Sequence, residues 1–262
     1  MTTNFSEIYF LKVNQVYDFD SILAFLQRHA AFGIEQVSKT KYSRYLGENS
    51  KLEVSLENES SLQVAINSFK SHKAILSKIK NLFDTEHNPK SLPIKTGVRV
   101  IGSYDPFETS VSIILGQLIS IKQATSKLKQ LIQLYGQQID EQLYIFPSAK
   151  DLLAKEIEEI GIPKTKAGAI RKLSEMIFTQ ELVYSQTADI RAAEQKLLSI
   201  KGIGPWTSQL ILMRCFGYKD AFPSNDLFIK RAIENNLVNE SLWQNQRAYL
   251  AHYLWQKAAQ KF

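Results

Sequence analysis

Leu197-Leu198-Ser199-Ile200-Lys201-Gly202-Ile203-Gly204-Pro205-Trp206-Thr207 sets two glycines one residue apart between two apolar, helix-like runs. Glycine reaches φ values closed to other residues and, without a side chain, allows close backbone approach. Pro205 suits the first turn of a helix, where its missing N–H is no loss. The stretch predicts helix, tight turn, helix. The second helix would point unpaired N–H groups and the positive end of its dipole outward, a geometry that suits a phosphate. Lys201 adds a formal charge. A plain helix–turn–helix corner uses the same residues, so the turn alone leaves both readings open. The downstream Lys-Ser/Thr and preceding strand of a P-loop are missing, which argues against a nucleoside triphosphate.

Outward from the turn lies Asp220-Ala221-Phe222-Pro223-Ser224-Asn225-Asp226, with Asp226 standing 22 positions after Gly204. Pro-Ser-Asn-Asp ahead of Leu-Phe-Ile-Lys-Arg reads as a helix start capped by Ser224 or Asp226. A carboxylate there can also stabilise developing positive charge or orient water. The two roles are compatible, because a helix N-terminus favours an ionised carboxylate. Asp220, ahead of the Phe-Pro, is the other acidic candidate.

From Pro106 onward helical periodicity dominates: 106–120, 122–135, 148–159, 164–179, 187–199, 205–217, 226–235 and 241–259. Residues 1 to about 90 differ. Phe5–Val13, Ile34–Tyr45, Lys51–Leu56 and Leu62–Ser68 read as strands, with helices over Phe19–His29 and about His72–Phe83. Proline and glycine crowd 88–106 and mark a junction. The expected fold is α+β: a small N-terminal antiparallel sheet domain with flanking helices (1–95), then a mostly α-helical module (96–262).

The net charge of +6 favours a polyanionic partner without demanding one. A single cysteine, Cys215, excludes an intramolecular disulfide and a four-cysteine iron–sulfur cluster. The four histidines are scattered, which argues against a metal hydrolase. The first residues lack the basic and apolar runs of a signal peptide, and no window approaches a membrane span. A reducing cytoplasm is the expected compartment.

The full pattern Leu-x-x-Ile-x-Gly-Ile-Gly-Pro-Trp-Thr resembles the helix-hairpin-helix of the base-excision DNA glycosylase superfamily, and within it the bacterial 3-methyladenine DNA glycosylase II family. Phe83-Asp-Thr-Glu-His-Asn88-Pro89 with Gly97-Val98-Arg99 is similar to that family's domain junction, Ile114-Leu-Gly-Gln-Leu-Ile-Ser120 to its first catalytic-domain helix and wedge loop, and Asp220–Asp226 to its catalytic loop.

The resemblance implies an accessory N-terminal domain and a two-lobed helical module. It also implies a monofunctional enzyme that flips and excises alkylated, cationic bases such as 3-methyladenine from double-stranded DNA, leaving an abasic site. Asp226 is then the catalytic carboxylate. Trp206, Trp255 and Leu210 line the base pocket. Leu118 is the wedge that fills the vacated stack, and Lys201, Gly202, Ile203, Gly204 and Thr207 hold the phosphates. No cofactor is required, although the carbonyls of Leu198, Ile200 and Ile203 would hold a structural monovalent cation, Na+ or K+. Bifunctional relatives carry a Schiff-base lysine where Trp206 stands, so no lyase step is expected. Leu210 and Asn225 depart from the type member, which has tyrosine and aspartate there. A monomer working at the cytoplasmic nucleoid, with no membrane partner, completes the expectation. A glycosylase for another base lesion, and a non-catalytic helix-hairpin-helix DNA-binding protein, are the competing readings.

Overall fold

The computed structural model describes residues 7–14, 16–47, 49–87, 97–235 and 238–259. Phe5 and Ser6 of the first expected strand, and junction residues 88–96 with Asn88 and Pro89, lie outside the described residues. Five strands, β1 (Glu7–Lys12), β2 (Glu35–Val37), β3 (Lys41–Gly47), β4 (Ser50–Asn58) and β5 (Ser61–Asn67), form one sheet in the order β1-β5-β4-β3-β2. Every neighbouring pair is antiparallel. Alternation in β4 and β5 turns Leu52, Val54, Leu62, Val64 and Ile66 to one face, all fully buried. Helices α1 (Phe19–His29) and α2 (His72–Phe83) supply Ile22, Leu23, Ile79 and Phe83 to the same core. The run 34–45, expected as one strand, is two. Ser38 Oγ accepts the N–H groups of Thr40 and Lys41 at 3.3 and 3.1 Å and closes a turn between them.

The helical module comprises α3 (Pro106–Leu115), α4 (Ile121–Tyr135), α5 (Ala149–Leu152), α6 (Lys164–Phe178), α7 (Ile190–Ser199), α8 (Pro205–Cys215), α9 (Leu227–Glu234) and α10 (Arg247–Ala259). The α+β expectation is borne out. Three expected helices are shorter or broken. The one over 106–120 stops at Leu115; Gln117 N–H donates back to Ile114 O at 3.3 Å to close its end, and Leu118 beyond takes φ +59°. The one over 148–159 is α5 plus a 3-10 turn at Ile157–Ile160, and Tyr135 donates to the Glu156 carbonyl at the break. The one over 241–259 is a 3-10 turn at Glu240–Trp243 followed by α10, whose first N–H, on Arg247, donates to Asp220. An unexpected two-residue hairpin pairs β6 (Gln137–Gln138) with β7 (Tyr144–Ile145). Tyr144 N–H donates to Gly33 O at 3.0 Å, so a contact with the N-terminal unit fixes it.

The sheet core and the helical core interlock. Ala31 and Ile34 pack with the helices, whereas Ile101 and Tyr104 pack with the sheet. Between them the buried Arg44 donates to Glu35 on one side and, through both terminal nitrogens, to Glu108 of α3 on the other. Burial pushes Glu108 up to about 7 against the pull of Arg44.

The same seam holds His252 and His29. Burial pushes His252 down to about 3 and His29 to about 4, and the Arg214 charge adds to both effects. A histidine depressed in the fold stabilises it above the unfolded value near 6.5, and that stability is lost as pH falls toward the folded value. The slope is about 1.4 kcal/mol per pH unit for each histidine. Glu108 titrates with the opposite sign between its ordinary value and about 7. We predict that Tm falls further between pH 7 and pH 5 in the wild type than in His252→Phe; equal falls in a thermal melt would contradict this.

Candidate active site

The turn after α7 forms as expected, but its two glycines do different work. Gly202 sits at φ +99°, and a Cβ there would lie 3.1 Å from the Thr165 carbonyl and 3.5 Å from the Ala169 methyl. Gly202 is therefore glycine for conformation and for packing on α6. Gly204 is extended, at φ −101° and ψ −177°, and a Cβ on it would meet nothing within 4 Å. The expectation of a special φ fails at Gly204. Its bare backbone faces open space, where an outside group can approach.

Gly204 is also the N-cap of α8, and no side chain caps this helix. Pro205 occupies the first position, so the outward donors of the first turn come from Trp206 and Thr207. Lys201, Gly202, Gly204 and Pro205 are exposed, and Ile203 and Thr207 are buried. Ile203 N–H is spent on the Ile200 carbonyl at 2.9 Å, which removes it from the set of phosphate donors. The Thr207 hydroxyl turns inward and accepts from Gln117 Nε2 at 2.8 Å, so Thr207 offers only its backbone.

Gln117 was not singled out by the sequence. Its amide donates to Thr207 Oγ1 and to the Gly202 carbonyl at 2.9 Å, joining the hairpin to the next loop. That loop carries Leu118 in left-handed backbone with its side chain fully exposed. Most leucines pack in cores; this one projects into solvent beside the turn. Ile119 and Ile121 extend the apolar edge.

Asp226 is the N-cap of α9. Its Oδ1 accepts from Phe228 N at 3.0 Å and Ile229 N at 3.3 Å. Its Oδ2 accepts from the indole Nε1 of Trp206 at 3.2 Å. Cap and site coincide in one carboxylate, with one oxygen fixed by its own helix and the other set against the first turn of α8. Ser224 is not the cap. The loop before Asp226 is held by Gln209 of α8, whose Oε1 accepts from Phe222 N at 2.8 Å while its Nε2 donates to Glu194 at 2.6 Å. Asp220 is engaged elsewhere: both its oxygens accept from the Arg247 guanidinium, at 3.0 and 2.7 Å. It anchors α10, whereas Asp226 faces the first turn of α8.

Leu210 and Trp206 are half-buried against the helical core. Trp255 stands edge-on to His252, with ring centroids 5.2 Å apart. Among the described residues, no hydrogen bond or ring contact links Trp255 to Trp206 or Asp226. No cluster of His, Cys, Asp or Glu suited to a metal occurs among the described residues. The carbonyls expected to take a monovalent cation have suitable chemistry. Leu198 lies in the last turn of α7, where carbonyls lack intrahelical partners, and Ile200 O keeps a second lone pair beyond its bond from Ile203 N–H.

A helix-hairpin-helix with an uncapped second helix, an aspartate on its first-turn tryptophan and an exposed leucine beside it define a class. The chain belongs to the HhH-GPD superfamily of base excision DNA repair proteins, whose family model matches residues 111–257. The model of the AlkA N-terminal domain matches residues 9–95. More narrowly, the chain is homologous to DNA-3-methyladenine glycosylase 2 of Escherichia coli, at 26% identity over 95% of this chain and 96% of the relative. Solved structures share the fold. The 3-methyladenine DNA-glycosylase from Archaeoglobus fulgidus superposes with a TM-score of 0.76 at 20% identity, over 94% of this chain and 97% of that one. The Clostridium acetobutylicum 8-oxoguanine glycosylase/lyase superposes with a TM-score of 0.71 at 16% identity, over 98% and 99%.

Proposed function

We propose that this chain is a monofunctional DNA glycosylase that lifts alkylated, cationic bases such as 3-methyladenine out of duplex DNA and hydrolyses their N-glycosidic bonds. The observation that carries the reading is the Asp226 carboxylate, pinned through Oδ1 and set through Oδ2 on the Trp206 indole. The bare Gly204 backbone and the α8 N-terminus grip phosphates without reading sequence. Leu118 enters the stack that the flipped nucleotide leaves. The base meets the Trp206 face, which attracts a cation by up to about 2 kcal/mol when desolvated. Leu210, where the type member has tyrosine, makes the pocket less aromatic and leaves more of the discrimination to the weakened bond.

As the glycosidic bond breaks, its electron pair neutralises the departing base and positive charge builds on the sugar. Asp226 stabilises that charge and orients the water that adds to the sugar carbon, with a proton passing to solvent. The products are free base and an abasic site. Asp226 is hydrogen-bonded by an indole rather than an amine, which supports hydrolysis without a Schiff base. A Na+ or K+ ion on the Leu198, Ile200 and Ile203 carbonyls would add positive charge to the phosphate grip. Hairpin, wedge and acid all lie on one chain, so a monomer at the nucleoid suffices.

The test is purified protein on methylated DNA, with released bases resolved by chromatography. We predict free 3-methyladenine and strands that stay intact until heated in alkali. Nicking without alkali would overturn the monofunctional mechanism. DNA binding without base release would favour a phosphate-binding protein that performs no chemistry.

A further inference from the structure

Leu118 poses a mechanical problem. Left-handed backbone costs an ordinary L-residue about 1–2 kcal/mol, and the exposed leucine side chain has no packing to hold it there. The loop must be fixed through its backbone. Lys166, in the first turn of α6, does this: its ammonium donates to Leu115 O at 3.0 Å and to Gln117 O at 2.6 Å. The lysine is only 8% exposed, and burial lowers its pKa. Among the described residues no carboxylate pairs with it; its two partners are the carbonyls of Leu115, the last residue of α3, and of Gln117, in the loop. Desolvating an ammonium for two carbonyl contacts is an expensive way to hold a loop, and it makes sense if the position of that loop matters. From the same loop the Gln117 amide reaches Gly202 O and Thr207 Oγ1 in the hairpin. Gly202 in turn packs against the Thr165 carbonyl, one residue from Lys166. The contacts close a ring through the α6 N-terminus, the wedge loop and the hairpin.

Resting on the glycosylase reading above, we propose that Lys166 and Gln117 are positioning residues that make this ring a rigid strut. The strut sets Leu118 at a fixed height over the phosphates held by the hairpin, so that backbone grip and wedge insertion act as one motion. Neither residue touches the base or the reacting atoms; both act through Leu118. Their removal should therefore matter where a stacked base has to be extracted and should matter little where it does not. Their effect should also vanish once Leu118 is gone.

The experiment is a double-mutant cycle of Lys166→Met with Leu118→Ala, repeated with the milder Gln117→Ala in case the methionine variant fails to fold. Base release is measured on methylated duplex and on the same strand unpaired. A duplex carrying 2-aminopurine beside the target nucleotide reports eversion, because its fluorescence rises when a stacking neighbour is withdrawn. We expect a loss of about tenfold or more on duplex and under about threefold on single strands, with little further loss when Leu118→Ala is already present. The fluorescence rise should fall in both single variants. Equal losses on duplex and single strands, or losses that multiply with that of Leu118→Ala, would mark a merely structural role and overturn the proposal. The fluorescence arm needs no bond cleavage. A wild type that everts the base without releasing it therefore overturns the glycosylase reading alone, while unchanged fluorescence in the variants overturns the strut.

Discussion

Asp226→Asn should slow base release by orders of magnitude while leaving the fold in place. Asparagine caps helices about as well as aspartate, so Phe228 N and Ile229 N keep an acceptor and α9 keeps its start. The charge is lost, and with it the group that faces positive charge on the sugar. Groups of this kind contribute roughly 10²–10⁴-fold to rate, and the variant should fall by that order in single-turnover release from methylated duplex. The amide nitrogen would also meet the Trp206 N–H, donor against donor, at a cost of about 1 kcal/mol. Asp226→Ala separates the two roles of the residue. It loses the cap as well, another ~1 kcal/mol or so of stability, yet it should be no less active than the asparagine variant. If Asp226 were only a cap, the order would differ: asparagine would work like the wild type and alanine alone would suffer. Melting curves beside release assays decide between the two patterns, and wild-type release by Asp226→Asn would end the catalytic assignment.

What could be read in the chain beforehand follows the range of the interactions. The hairpin, the Asp226 cap and α1, α2, α4 and α6 rest on contacts a few residues apart, and their signals are local: glycine at positive φ, a polar cap before an apolar run, regular periodicity. The break between α5 and the 3-10 turn has no glycine or proline to announce it and depends on Tyr135 reaching Glu156 from α4. The β6–β7 hairpin depends on Gly33, in another unit. The split was the same at the site. Asp226 and Leu118 sit in recognisable stretches. Gln117 and Lys166 act across 85 and 49 residues, on backbone oxygens that any sequence would present. An amide or ammonium that binds carbonyls leaves no pattern of partner residue types. The Arg247–Asp220 pair, by contrast, has complementary charges, but only the fold brings them together and occupies both Asp220 oxygens.

The glycines give the sharpest separation of fold from function, because two residues one position apart should fail in opposite ways. Gly202→Ala places a methyl at φ +99°, against the Thr165 carbonyl and Ala169. Backbone strain of that kind costs about 1–3 kcal/mol, which for a chain of this size lowers Tm by roughly 2–4 °C per kcal/mol. Its loss of DNA affinity should follow from a displaced hairpin and accompany the fall in Tm. Gly204→Val enters extended backbone that any residue adopts, with nothing within 4 Å of its Cβ. Leaving glycine lowers the entropy of the unfolded chain by about 0.4–1 kcal/mol, and this offsets the poorer cap, so Tm should stay within a few degrees of the wild type. The new side chain stands where a phosphate would approach. Losing one charge-assisted hydrogen bond of about 1.5–3 kcal/mol lowers affinity by roughly tenfold or more. Binding of Gly204→Val to duplex at fixed salt, measured by fluorescence anisotropy beside a thermal melt, tests this directly. A stable variant that binds like the wild type would mean that the open space at Gly204 is not where the backbone docks, and the phosphate grip would then have to be sought elsewhere on the hairpin.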